Sequence, residues 1–213
     1  MHEAEELLNA FQGSSAAHGR SIIGDVRRNG KTEAKYSIIR EPLTTDKLEA
    51  HIGGKENYSA IPITQDNKCR FGALDIDTYD LDLVALNKKI KKLKLPLLLC
   101  RSKSGGAHLF LFLKDWEPAS LVREYLIEMS IALGHSGCEI FPKQDKILAE
   151  RGDVGSSINI PYYHAELTTR YCFNTKNEAM TLAEFIKAIQ KKRVSVSELN
   201  EIQFAGERKF FLD

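Results

Sequence analysis

Between residues 71 and 142, the order of the predicted elements restricts the possible folds of this chain more than any other part of the sequence does. A strand at 71–77 is followed by a helix at 81–94, strands at 97–102 and 107–113, a helix at 117–133 and a strand at 138–142. This β-α-β-β-α-β order predicts a split βαβ unit of the ferredoxin-like type. Right-handed crossovers give its sheet the strand order 4-1-3-2, so the first strand lies between the third and the fourth. Polar residues on these three strands are therefore expected to converge.

The residues before this unit predict an α/β module that packs on its sheet. Their patterns indicate a helix at 3–12, a hairpin over 21–40 that turns at Asn29-Gly30, and a capped helix closed by Gly53-Gly54. The runs "YSAIPIT" and "KCRFGALDID", separated by the turn "QDN", predict a second hairpin that leads into the unit. Near the other end of the chain, Thr181 and Glu184 form a capping box at the start of a further helix.

The first strand of the unit, "FGALDID", is apolar until it ends on two carboxylates, Asp75 and Asp77. Side chains at i and i+2 of a strand point to the same face, so the pair projects together. Two like charges held so close require a cation, a proton or a helix N-terminus between them. The alternative is a strand that simply runs out into the acidic loop "DIDTYDLD", with Asp80 capping the next helix.

Two more polar residues are predicted on that sheet face. The third strand, "AHLFLFL", begins with His108 and carries Phe110 and Phe112 on the same side, and the fourth, "CEIFPKQ", begins near Glu139. Taken singly, such a histidine or glutamate is usually structural. Together with the aspartates they predict a site for Mg²⁺ or Mn²⁺, in which two metals activate a hydroxyl and stabilise a departing pyrophosphate.

The loop "CRSKSGGAH" between the second and third strands has the composition of a phosphate-binding loop. Its glycines allow close approach of a ligand to the backbone, and successive N–H groups can surround an anion. A Gly-Gly hairpin turn with exposed basic residues would look the same. Because carboxylates are predicted beside it, the loop favours a nucleoside triphosphate as substrate.

Charge and composition narrow the possible classes. Thirty Lys and Arg against twenty-nine Asp and Glu leave a net charge of +1, so any nucleic-acid surface must be local. The four cysteines form no CxxC pair, and the lone HxxC of His135 and Cys138 is interpreted as structural. The longest apolar run is too short to span a membrane, and the acidic start is no signal peptide, so a cytoplasmic protein without membrane partners is expected.

The segments "ALDID", "SKSGGAH" and "CEIFPKQ", in this order and spacing, resemble the three motifs of the archaeo-eukaryotic primase superfamily: a DxD, an SxH-like motif and a strand-borne acidic residue. The approach "HIGGKENYSAIPITQDNKCRFGALDID" and the later "GSSINIPYY" resemble the primase-polymerase branch of phages, plasmids and mobile elements. The resemblance covers roughly residues 40–163. Two departures stand out: the loop "SGGAH" is one residue shorter than the family's SGxGxH, and Glu replaces the usual Asp in the third motif.

The resemblance implies roles for particular residues. Asp75, Asp77 and Glu139 match the metal-binding positions, and Ser104 and His108 match the motif that binds the phosphates of the incoming nucleotide. The remaining predicted nucleotide-binding residues are Arg101 and Lys103 beside that motif, Lys143 just after the third motif, and Asn159 in "INIPYY".

The resemblance also implies a fold. An α+β architecture is expected, with an RRM-like (ferredoxin-like βαββαβ) catalytic core over 71–163, an N-terminal α/β module over 1–70 packed on its sheet, and a helical extension over 164–213, all in one compact domain.

The function implied is that of a primase or primase-polymerase. Such an enzyme joins a 3′-hydroxyl to the α-phosphate of an NTP or dNTP on a single-stranded DNA template, making primers or extending DNA. The chain contains no helicase or zinc motif and ends "FAGERKFFLD", so a helicase or accessory domain is an expected partner. The alternative is a non-catalytic RRM-like nucleic-acid-binding module, in which Phe110 and Phe112 stack on bases.

Overall fold

The structure of the protein, a computed structural model, describes residues 2–26, 32–78 and 80–202. The helices are α1 (His2–Ala10), α2 (Thr45–Ile52), α3 (Leu83–Lys92), α4 (Ala119–Leu133), α5 (Leu182–Lys192) and α6 (Val196–Asn200), with a 3-10 turn at Ala149–Arg151. The strands are β1 (His18–Val26), β2 (Thr32–Ile39), β3 (Asn57–Ala60), β4 (Lys68–Ile76), β5 (Leu97–Arg101), β6 (Ala107–Pro118), β7 (Glu139–Phe141) and β8 (Ile158–Asn159). They form two antiparallel sheets, which confirms the α+β class. The predicted turn at Asn29-Gly30 and the run "FAGERKFFLD" lie outside the described residues.

The second sheet has the strand order β5-β6-β4-β7, and each neighbouring pair is antiparallel. Numbered from the first strand of the predicted unit, this is the expected order 4-1-3-2 seen from the other edge. Helix α3 connects β4 to β5, and α4 connects β6 to β7. As a result β4 lies at the centre, between the two strands that carry His108 and Glu139.

The first sheet has the order β2-β1-β3-β8. Strands β1 and β2 pair as predicted, but the second predicted hairpin is wrong, because β3 pairs with β1 and β8 while β4 belongs to the other sheet. Pro62 lacks the N–H that continued pairing needs, and the carbonyl of Ile61 accepts instead from the backbone N–H of Ser14 at 2.9 Å. The chain therefore crosses between the sheets at residues 61–67.

The two faces of the second sheet are buried differently. One face carries aliphatic side chains from β4, β5 and β6 that pack against α3 and α4: Leu74, Ile76, Leu97, Leu99, Leu109 and Leu111. The opposite face is aromatic, and Phe11, just after α1, packs edge-on against three of its rings, those of Phe71, Phe110 and Phe112, with centroids 5.1–5.5 Å apart. Phe110 and Phe112 are at most 1% exposed. The prediction that these two rings stack on bases, which the binding-module alternative requires, is therefore wrong.

The helix ends follow local capping rules. Thr44 caps α2, and Thr181 and Glu184 form the predicted capping box of α5. Helix α3 begins two residues later than predicted, and its cap is Asp82, whose side chain accepts from the Ala85 N–H, rather than Asp80. None of the described helices is long and apolar enough to cross a membrane.

Candidate active site

Asp75, on the central strand of the second sheet, is paired in register with His108 on β6 and with Glu139 on β7. Directly opposed residues of antiparallel strands project to the same face of the sheet. The three side chains therefore form one row across three strands, at the point where the aromatic face of the sheet becomes polar. The strand register brings together the residues whose convergence was predicted from the alternating pattern.

The electrostatics of the row centre on Asp75, whose side chain is 25% exposed. The pKa of Asp75 is raised to about 6, first by burial and then by the negative charges of Glu139 and Asp77, while the nearby Lys143 lowers it by less. Burial disfavours the ionised carboxylate, and like charges add to that penalty. Three carboxylates thus face one another without a sufficient positive charge between them.

Asp77 lies just past the end of β4 and is tied to the loop that precedes β6. The hydroxyl of Ser104 donates to Oδ1 of Asp77 at 2.9 Å and also lies 3.0 Å from the hydroxyl of Ser102. These contacts place the predicted phosphate-binding loop directly against the DxD motif. The first and second motifs therefore form one continuous surface.

His108 lies at the other end of the row. It is 7% exposed, and its Nε2 is 3.4 Å from Oδ1 of Asp75. Burial lowers the pKa of His108 to about 4, and the positive charge of Arg170 contributes to the lowering. The imidazole is consequently neutral at neutral pH, so its contact with Asp75 joins a neutral ring to a carboxylate and is not an ion pair.

The loop itself needs glycine at two positions. Gly105 has a φ of +97°, in the left-handed region that other residues avoid. A Cβ on Gly106 would lie 2.2 Å from the carbonyl oxygen of Ile76, so only glycine allows β6 to start so close to the end of β4. Arg101, at the start of the loop, points toward the segment after β8, where its Nη1 donates to the carbonyl of Thr169 at 3.3 Å.

The remaining predicted residues lie in different places. Lys143 donates to Oε1 of Glu139 at 2.8 Å and lies over the ring of Phe141, which sets it beside the carboxylates. Lys103 is exposed in the loop. Asn159 is in the first sheet, where its Oδ1 accepts from the hydroxyl of Ser59 at 2.9 Å. Of the predicted nucleotide-binding residues, Asn159 is thus the one carried by the other sheet.

A cavity of about 320 Å³ opens beside the carboxylates. Its lining consists of Asp75, Ile76, Asp77, Thr78, His135, Gly137, Cys138 and Glu139. His135 and Cys138, interpreted from the sequence as structural, line this cavity, and their position just before the third motif is the signal that could have placed them here. Burial raises the pKa of Cys138 to about 11, so its thiol stays protonated and is a poor metal ligand at neutral pH. A larger groove of about 390 Å³, between α3, β5 and α5, contains none of the predicted site residues.

Within residues 2–26, 32–78 and 80–202, no three His, Cys, Asp or Glu side chains converge closely enough to form a metal-binding group. Asp77 accepts a hydrogen bond from Ser104, and Glu139 accepts one from Lys143. The donor chemistry nevertheless suits a hard divalent cation, because these are oxygen ligands, and burial together with their mutual repulsion already raises the pKa of Asp75.

Comparison with known proteins gives a family match over most of the chain. The sequence model described as "TOTE conflict system, Archaeo-Eukaryotic Primase domain" matches residues 21–202. Among solved structures, the AEP domain of the cyanophage S-2L primase-polymerase is 13% identical, with 88% of this chain and 97% of that chain covered and a TM-score of 0.46. The primase RepB′ is 9% identical, with 90% of this chain and 61% of that chain covered and a TM-score of 0.41. The curated proteins include no significant match.

Proposed function

The chain belongs to the family of archaeo-eukaryotic primase domains of TOTE conflict systems, and on that premise we propose that it is a nucleotidyltransferase of the primase-polymerase type. It joins a 3′-hydroxyl to the α-phosphate of an NTP or dNTP on a single-stranded DNA template, and the second sheet is its RRM-like catalytic sheet. The observation that most supports this is the register of Glu139, Asp75 and His108 across three strands, beside a loop bonded to Asp77.

In this proposal Asp75, Asp77 and Glu139 hold Mg²⁺ or Mn²⁺, which prefer carboxylate oxygens. Bound cations would neutralise the charge that develops on the attacking hydroxyl and on the departing pyrophosphate. Glu139 and Asp77 add to the effect of burial in raising the pKa of Asp75, and the positive charge of a bound cation would relieve this repulsion. Ser104 donates to Asp77 and Lys143 donates to Glu139, so a bound cation would share these two carboxylates with the donors or displace them.

The loop and His108 bind the triphosphate in this proposal. Because His108 is neutral, it supplies one N–H donor and no charge. The hydroxyl of Ser104 is a second donor, and the positive charge comes from Arg101, Lys103 and Lys143. Gly105 and Gly106 leave the backbone open to close approach by phosphate oxygens.

A templated assay tests the proposal. Labelled NTPs or dNTPs are supplied with single-stranded DNA, with and without primer, in Mg²⁺ and in Mn²⁺. We expect the wild type to incorporate nucleotide, and the double variant Asp75→Ala, Asp77→Ala to incorporate none while remaining folded by circular dichroism. The matched control is Asp46→Ala with Asp115→Ala, which removes two exposed carboxylates that are outside the cavity lining. Its activity should equal that of the wild type.

Two outcomes would count against the proposal. Undiminished synthesis by the Asp75 and Asp77 double variant would exclude the carboxylates as the catalytic centre. Tight RNA binding in EDTA, together with no affinity for nucleotide in any metal, would favour a binding module that uses a surface other than the buried aromatic face.

A further inference from the structure

Arg170, which belongs to none of the predicted motifs, is a buried cation without a carboxylate partner among the described residues. It is 7% exposed. Its Nη1 donates to Oδ1 of Asn57 at 2.9 Å, and its guanidinium lies 5.3 Å from the ring centroid of Tyr163. Both partners are uncharged side chains. Burying a charge costs free energy unless an opposite charge compensates it, so this arrangement calls for an anion.

The position of Arg170 places it beside the candidate active site. Its segment runs antiparallel to β5: the N–H of Arg101 donates to the carbonyl of Tyr171, and the N–H of Phe173 donates to the carbonyl of Leu99, both at 2.9 Å. Arg170 thus lies next to the end of β5, where the phosphate-binding loop begins. Its charge also acts on the buried ring of His108, whose pKa it lowers.

Arg101 lies close to the same point. Its side chain donates to the carbonyl of Thr169, the residue before Arg170. Its Nη2 also lies 3.6 Å from the position that a Cβ on Gly105 would take. The two arginines therefore lie toward the β5 edge of the sheet, and His108 on β6 stands between that edge and Asp75 on β4.

The charged groups of the site change from negative to positive along one line. Carboxylates lie at one end of the site, the neutral imidazole lies in the middle, and arginines lie at the other end. A polyphosphate that carries a divalent cation on one side and free oxygens on the other matches this layout. Arginine presents five N–H donors in a fixed fork, and Asn57 uses one of those of Arg170.

We propose that Arg170 is a binding residue for the terminal phosphates of the nucleotide, held ready by Asn57 and Tyr163. The inference rests on the proposed function, since it concerns the same substrate. A structural role alone, in which Arg170 only links its segment to β3, would leave phosphate affinity unchanged when the charge is removed.

The first test uses Arg170→Gln, which keeps an amide donor for Asn57 but removes the charge. Binding of inorganic tripolyphosphate in EDTA, and of dATP in Mg²⁺, is measured by isothermal titration calorimetry. Loss of a charge-assisted contact to phosphate should weaken both affinities about ten- to a hundred-fold. Arg193→Gln is the matched control: this half-buried arginine donates to the carbonyl of Leu113, five residues along β6 from His108, and its loss should leave both affinities unchanged.

The second test remains informative if Arg170→Gln does not fold. Asn57→Asp introduces a carboxylate at the atom that Arg170 already contacts, which compensates the buried charge from within the protein. We expect the melting temperature to stay level or rise, while the affinity for tripolyphosphate falls at least about tenfold because the carboxylate competes with phosphate. Opposite effects on stability and affinity are not expected of a structural arginine.

The results separate two kinds of failure. If the wild type binds neither tripolyphosphate nor dATP, the proposed function itself fails. If the wild type binds both, and Arg170→Gln or Asn57→Asp is folded and binds them equally well, only the assignment of Arg170 is overturned.

Discussion

The Nε2 atom of His108 lies 3.4 Å from Oδ1 of Asp75, across the paired strands β6 and β4. At neutral pH the ring is neutral, because burial lowers the pKa of His108 to about 4. The histidine therefore does not compensate the charge of Asp75, which also faces Glu139 and Asp77. The three carboxylates therefore repel one another in the folded protein, and this repulsion should have measurable effects on stability.

Asp75→Asn should stabilise the protein and abolish nucleotide incorporation. The pKa of Asp75 is about 6 in the folded state and higher than in the unfolded chain, so ionisation opposes folding as pH rises through this range. The ordinary pKa of an aspartate is 3.8, so at about 1.4 kcal/mol per pKa unit the gain in unfolding free energy at neutral pH is about 3 kcal/mol. Urea denaturation near pH 7.5 and near pH 4.5 should show that the gain shrinks to less than half at the lower pH. An equal gain at both values would contradict the assignment of the raised pKa.

His51 should make the folded state sensitive to mild acid. Its Nδ1 accepts from the N–H of Tyr58, its Nε2 contacts the carbonyl of Pro161, and burial lowers its pKa to about 4. In the unfolded chain His51 binds a proton near pH 6.5, whereas in the folded state it stays neutral down to about pH 4. The contribution of the neutral His51 to stability is therefore fully present above pH 6.5 and is lost as the pH falls toward 4.

The variant His51→Gln isolates this effect. We expect it to be less stable than the wild type near pH 7.5, because the buried contacts are imperfectly replaced. The difference should narrow by about 2 kcal/mol near pH 5, where only the wild type carries the penalty of a neutral buried histidine. Denaturation midpoints at the two pH values measure this, and a difference independent of pH would show that His51 titrates normally.

Gly106→Ala should displace the loop between β5 and β6, which we propose to bind phosphate. The added Cβ would lie 2.2 Å from the carbonyl oxygen of Ile76, and no flexible side chain is there to yield. Separation of β6 from the end of β4 should cost about 1–3 kcal/mol of stability and weaken nucleotide binding. Gly137→Ala is the control, since a Cβ at Gly137 meets nothing within 4 Å although the residue lines the cavity. Thermal melts and dATP titrations of both variants should separate them clearly, and similar behaviour of the two would refute the close-approach argument.

Phe11→Ala should destabilise the whole domain. Phe11 is 1% exposed and packs edge-on against Phe71, Phe110 and Phe112, so its removal opens a cavity between α1 and the second sheet. Loss of such a ring costs about 3–5 kcal/mol. Leu167→Ala, at a side chain that is 73% exposed, should cost less than about 0.5 kcal/mol. Chemical denaturation compares them, and a cost for Phe11→Ala as small as the control's would mean that α1 does not seal the aromatic face.

The elements that the sequence predicted well depend on neighbouring residues. The alternation of "FGALDID" and "AHLFLFL" determined which side chains share a face, and element order determined that β4 is central, so the row of Glu139, Asp75 and His108 could be foreseen. Helix caps such as Thr181 with Glu184 were equally predictable, because a cap involves residues only three positions apart.

The rest was decided by contacts between distant parts of the chain. Short strands carry too little pattern to specify a partner, so the pairing of Ser59 with both Gly19 and Asn159, which puts β3 in the first sheet, followed only from the assembled fold. The same holds for Arg170, which belongs to no motif. Its significance lies in burial beside Asn57, 113 positions away in sequence, where water cannot compensate its charge. Local pattern thus determined the strands and the carboxylates, whereas tertiary packing alone decided that Arg170 would be buried beside β5, at the edge of the same sheet.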